Sequence, residues 1–157
     1  MTSEDFDKDT ASTIIGGFEN RPEMLVQILH AFMDRFGWIS DDAIRQLADE
    51  LNLSRADVHG VVSYYHDFRT APAGKHVVRI CAAEACQAMG SRELAEHAGK
   101  SFGLDMHESN DEVTLEPVYC LGNCACSPAI MVDGKTYGRV SAERFDEIVA
   151  TLDGASS

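Results

Sequence analysis

The chain has 157 residues and a 45% hydrophobic fraction, the size and composition of one compact domain or of one small domain with an appendage. Its 26 acids against 13 Lys and Arg give a formal net charge of −13, which argues against nucleic acid and anionic membranes as partners, because phosphates demand a cationic surface. The acidic start MTSEDFDKDT has the pattern of neither a signal nor a transit peptide, and no apolar run nears the roughly 20 residues of a membrane-spanning helix, so a cytoplasmic protein is expected.

Residues 1–20 read as an acidic, flexible tail: Glu4, Asp5, Asp7 and Asp9 stand among small residues. Residues 21–73 read as a helical segment of three helices. In the first, Met24, Leu25, Ile28, Leu29, Phe32, Met33 and Phe36 make one apolar stripe at helical spacing, and Gly37 stops it. Ser40 caps the second, with Asp41 and Asp42 in its first turn and Ile44, Leu47, Ala48 and Leu51 on its apolar face. Ser54 opens the third, with Asp57 at the capping-box position. Val58, Val61, Val62, Tyr65 and Phe68 are expected to face inward, before a linker at Pro72 and Gly74.

Residues 74–157 carry a different pattern. HVVRI (76–80) is a strand that delivers Cys81 to a loop, Ser91–Lys100 a helix that ends before Gly103, and EVTLEPVY (112–119) a strand that delivers Cys120. AIMV (129–132) and KTYGRV (135–140) form a hairpin about Asp133-Gly134. Ser141 caps a last helix whose inner face is Phe145, Ile148, Val149 and Leu152. The order β-α-β-β-α predicts a small α/β layer with both cysteine loops at one end.

In a reducing cytoplasm, spaced cysteines read as metal ligands or redox thiols before disulfides. Four of the five fall in two pairs, Cys81-x4-Cys86 and Cys120-x3-Cys124, with 33 residues between them. Such a set suits a [2Fe–2S] cluster, in which each tetrahedral iron takes two cysteine sulfurs beside two bridging sulfides. A structural zinc site would use the same four ligands, although zinc ribbons favour C-x2-C knuckles. A redox dithiol would need the C-x-x-C that is absent. Merely buried cysteines would be scattered through apolar segments and not flanked by Gly90, Gly122 and other small residues. Either Cys124 or Cys126 could complete the set. CLGNC favours Cys124, because Gly122 can turn the chain there, and leaves Cys126 as a small residue beside the site.

With CxxxxC followed by Gly90-Ser91, and CLGxC followed by a nearby Pro128, the chain resembles the thioredoxin-like [2Fe–2S] ferredoxin family. The resemblance spans roughly residues 20–152 and includes FGWIS, HGVVSYYHDFR and the GKH lead-in to the first cysteine. It implies a thioredoxin-like fold without the thioredoxin C-x-x-C, and one [2Fe–2S] cluster held by Cys81, Cys86, Cys120 and Cys124. Members include the small peripheral-arm subunit of respiratory complex I and counterparts in NAD-linked hydrogenases and formate dehydrogenases. Within the family, AEACQAMGS (83–91), CLGNCACSPAIMVDG (120–134) and YGRVSAERFDEI (137–148) look like the gamma subunit of the NAD-dependent, molybdenum-containing formate dehydrogenases. That likeness implies two partners: a flavin subunit that binds FMN and reacts with NAD, and a catalytic subunit that holds the molybdenum cofactor. The chain has no Gly-rich dinucleotide fingerprint and no residue that looks catalytic, so it is expected to carry electrons and turn over nothing alone.

A reading of another class rests on residues 40–68, where helix, Leu-Asn turn and helix resemble a helix-turn-helix and would suit an iron–sulfur redox regulator of DNA. The second helix offers Arg55 and His59 but no Lys, which weighs against it. None of the six histidines stands at metal-ligand spacing from another.

Overall fold

The computed structural model of the chain describes residues 6–153. It divides into two units, Met1–Ala73 and Gly74–Ser157, at the Pro72–Gly74 linker.

The first unit begins with a helix where the sequence suggests a tail. Asp7 accepts the Thr10 N–H at 2.9 Å and caps α1 (Lys8–Gly17). Ala11 and Ile15 of α1 are fully buried, Ile14 and Phe18 pack against the same core, and the Phe6 ring lies 5.4 Å from that of Phe36. Four apolar side chains at positions 11, 14, 15 and 18 are enough for one helical face once a neighbouring helix offers its own. The acids that suggest a tail lie off that face or, like Glu4 and Asp5, outside the described residues. Gln46 Nε2 fastens the helix further, donating to Lys8 O at 2.9 Å and Ser12 Oγ at 2.8 Å.

After a single 3-10 turn at Pro22–Met24 come α2 (Leu25–Phe36), α3 (Asp41–Leu51) and α4 (Arg55–Tyr64). The serine caps act as their positions suggest. Ser40 Oγ accepts the Ala43 N–H at 3.0 Å, and Ser54 and Asp57 form a reciprocal capping box, each cap stabilising by about 1 kcal/mol. Ile28, Leu29 and Phe32 of α2, Leu47 and Leu51 of α3, and Val58 and Val62 of α4 fill the core. Phe68 is buried as expected, but Tyr65 is 42% exposed. The helix ends at Tyr64, and extended backbone at Tyr65 (φ −92°, ψ 120°) takes its side chain off the helical face.

The second unit is a five-stranded sheet in the order β2-β3-β1-β4-β5. The strands are β1 (His76–Cys81), β2 (Glu108–Ser109), β3 (Val113–Val118), β4 (Ile130–Val132) and β5 (Lys135–Tyr137). The two-residue β2 is too short to leave a periodic signal in the sequence. β1 and β3 run parallel, with Cys81 opposite Val118, while β4 pairs antiparallel with β1 and β5 with β4. Asp133 and Gly134 both take positive φ in the hairpin turn, as a two-residue connection demands. The Asp133 carboxylate ties that turn to β1, accepting the Val77 N–H at 2.8 Å and meeting His76 Nδ1 at 2.7 Å.

Three helices accompany the sheet: α5 (Glu84–Ala88), α6 (Ser91–Phe102) and α7 (Ala142–Asp153). Leu94 and Ala98 of α6 and Phe145 and Ile148 of α7 join Val78, Ile80, Leu115 and Ile130 of the strands in one core. Val149 and Leu152 are partly buried against it. This is a mixed α/β unit preceded by helices. No described helix is long and apolar enough to cross a membrane.

Candidate metal centre

Parallel neighbours end at the same edge of a sheet, so their C-terminal loops meet. β1 ends on Cys81 and β3 on Val118, two residues before Cys120, and the register sets Cys81 directly across from Val118. That topology gathers two cysteine pairs that lie far apart in the sequence. Beyond Cys81, Gln87 Nε2 donates to Ala82 O at 2.6 Å and holds the start of α5, whose third residue is Cys86. Beyond β3, Cys120 adopts φ +144°, a region that L-residues rarely visit and that clusters at functional sites. Gly122 (φ +70°) then turns the chain into a 3-10 turn over Cys124–Cys126.

The four sequence-predicted ligands come together as two thiol pairs. Cys81 and Cys86 perturb each other's thiols, Cys120 perturbs Cys124, and the charge of Cys86 reaches Cys124. The pairs differ in setting. Cys81 and Cys86 are each 2% exposed, whereas Cys120 and Cys124 face solvent. The Cys126 carbonyl is engaged elsewhere and accepts the Arg139 N–H at 2.6 Å.

The Gly122 N–H donates to Cys120 Sγ at 3.3 Å. The backbone N–H groups of Ala83 and Leu121 favour the thiolate of Cys81, and that of Ala129 the thiolate of Cys86. Cys86 Sγ lies 3.4 Å from Ser127 Oγ, which donates to the Cys124 carbonyl at 2.8 Å, so one hydroxyl braces both loops. Burial pushes the Cys81 thiol up. Burial acts the same way on Cys86, but Ser127, Cys81 and the Ala129 N–H outweigh it and hold Cys86 below the ordinary thiol range. Charge on Cys120 pushes Cys124 up by like-charge repulsion.

These donors and charges fit a group that keeps four sulfurs as thiolates. The Gly122 N–H on Cys120 Sγ is satisfied best by an anionic acceptor, and bound metal would remove the repulsion between Cys120 and Cys124. Among the described residues no three His, Cys, Asp or Glu side chains converge on a point for one ion. Two separate pairs suit two metal ions with two thiolates apiece. With one pair sealed and the other open, the arrangement can store charge inside and exchange it through a solvent-facing edge. Tyr119 and Met89, 64% and 62% exposed, stand one residue before Cys120 and three after Cys86.

Sequence reasoning missed α5, because five residues show no helical period, and it missed Ser127. The available signal was the Ser127-Pro128 dipeptide directly after the last cysteines, since Ser-Pro favours a turn; its peptide bond is cis.

The family described as thioredoxin-like [2Fe–2S] ferredoxin matches over residues 11–153. The E subunit of NADH-quinone oxidoreductase from Pseudomonas aeruginosa is 30% identical over 125 residues, covering 78% of this chain and 75% of the relative. Its namesake from Escherichia coli is 28% identical over 134 residues, covering 84% and 81%. Among solved structures, the NAD+-reducing [NiFe]-hydrogenase in its air-oxidised state superposes on 85% of this chain with a TM-score of 0.71 at 18% identity. The present chain spans 23% of that hydrogenase chain, and at this identity the likeness speaks for the fold alone.

Proposed function

The chain belongs to the thioredoxin-like [2Fe–2S] ferredoxin family, and from that premise we propose that Cys81, Cys86, Cys120 and Cys124 hold one [2Fe–2S] cluster for electron transfer inside a cytoplasmic, NAD-dependent formate dehydrogenase. The observation that carries the ligand assignment is that the two cysteine pairs follow the C-terminal ends of adjacent parallel strands, with Cys81 opposite Val118. The formate branch is supported by the segments AEACQAMGS, CLGNCACSPAIMVDG and YGRVSAERFDEI.

When bound, the cluster supplies a one-electron store. The chain's own residues set its properties. The Gly122 N–H on Cys120 Sγ favours added negative charge, which raises the reduction potential. Burial of Cys81 and Cys86 excludes water from one half. The open Cys120–Cys124 edge gives a redox partner close approach. On this reading the partners are an FMN- and NAD-binding subunit and a molybdenum-containing subunit that oxidises formate.

A second reading has a specific observation behind it: the relatives named as the E subunit of NADH-quinone oxidoreductase reach 30% identity over most of both chains. Tagging the chain in its native cell and assaying what is retained separates the two. Formate-dependent NAD reduction is the expected result. NADH:quinone activity or hydrogen-dependent NAD reduction would move the protein to another complex and leave the cluster assignment standing.

A further inference from the structure

We propose that Gly138 is a positioning residue for the second cysteine loop, acting through Cys126. The residue lies just past β5, and the segment 138–140 runs along the underside of the loop. Two backbone bonds clasp the strands of this contact: the Arg139 N–H donates to Cys126 O at 2.6 Å, and the Val140 N–H donates to Pro128 O at 3.0 Å. Beside them, at Gly138, the backbones approach too closely for any side chain. A Cβ at position 138 would stand 2.7 Å from Cys126 Cβ, 2.9 Å from Cys126 O and 2.8 Å from Asn123 Nδ2. The Asn123 amide can swing away, but the Cys126 atoms belong to the 3-10 turn that starts at Cys124. That turn is also held by the Cys126 N–H donating to Asn123 O at 3.0 Å and by Ser127 Oγ donating to Cys124 O. A push on Cys126 therefore arrives at Cys124.

The fifth cysteine thereby acquires a use that needs no sulfur chemistry. Its Cβ and carbonyl form the surface against which Gly138 seats the loop, and the exposed Cys120–Cys124 pair has no burial of its own to fix it. The inference rests on Cys124 being a ligand.

The test is Gly138→Ala in the full chain, read by visible circular dichroism, the paramagnetic resonance of the reduced state and the rate of iron loss to a chelator. Iron retention should fall about 10–100-fold, the range for groups that orient metal ligands, with an altered spectrum. Gly99→Ala is the control. Its new Cβ meets Leu104 O at 2.9 Å, a similar steric insult at the end of α6. It should lower thermal stability with the spectrum unchanged. Cys126→Gly added to Gly138→Ala removes the 2.7 Å contact and leaves the one with Cys126 O at 2.9 Å, so it should restore part of the signal, even where the single variant fails to fold. A wild-type spectrum and iron-loss rate in Gly138→Ala would overturn the proposal, as would a double variant no better than the single. Should the unaltered chain bind no [2Fe–2S] cluster, the ligand assignment itself would fall, and the two failures are told apart at that first measurement.

Discussion

Replacing Ser127 by Ala tests whether the polar surroundings of the buried thiol pair tune electron affinity. Ser127 is 9% exposed, its oxygen lies 3.4 Å from Cys86 Sγ, and its proton is aimed at Cys124 O at 2.8 Å. Once Cys86 is a thiolate it can only accept, so the one hydroxyl proton is shared between sulfur and carbonyl. A hydrogen bond to a charged group is worth about 1.5–3 kcal/mol. Only the part that strengthens on reduction moves the potential, and with the proton shared that part is about a third of the whole, roughly 0.5–1 kcal/mol. For one electron this is about 20–40 mV, since a tenfold change in equilibrium is about 59 mV. The sign follows from charge: reduction adds a negative charge, the hydroxyl stabilises it, and its loss lowers the potential. Redox titration followed by paramagnetic resonance measures the shift, and Ser127→Thr, which keeps the hydroxyl, should stay near the unaltered value. A potential that holds steady or rises in Ser127→Ala would refute the electrostatic reasoning. Faster iron loss without a shift would reduce Ser127 to a brace between the loops.

Two further predictions address the ligand set and the helical unit. Serine at Cys81, Cys86, Cys120 or Cys124 should abolish or badly weaken the cluster's absorption, whereas Cys126→Ser should keep it, because Cβ and carbonyl remain in place; the reverse pattern for Cys124 and Cys126 would reassign the fourth ligand. Ile15→Ala removes a fully buried side chain from the core of the first unit and should cost about 2–5 kcal/mol in chemical denaturation. The cluster spectrum should stay unaltered, since Ile15 belongs to the other unit, and a cost near zero would mean that α1 does not dock in solution.

Local rules made much of this protein legible from its sequence. The stripe from Met24 to Phe36, the serine caps at positions 40 and 54, the Asp133-Gly134 turn and the two strands that lead to Cys81 and Cys120 each depend on neighbours within a few residues. Two cysteine pairs are likewise a local signal. Features that depend on a distant surface were hidden. The amphipathic face of α1 is short and set among acids, and it becomes a helix face of the core because α2 and α3 stand opposite. Tyr65 belongs to the apolar pattern of α4 by spacing, yet the helix stops one residue too soon. No spacing rule says that Cys81 and Cys86 are sealed while Cys120 and Cys124 stay open, because burial is set by what the rest of the chain lays over each loop. Ser127 and Gly138 matter for the same reason. One reaches across two loops and the other makes room for a backbone 12 residues away in sequence, and only the folded chain brings either to its partner.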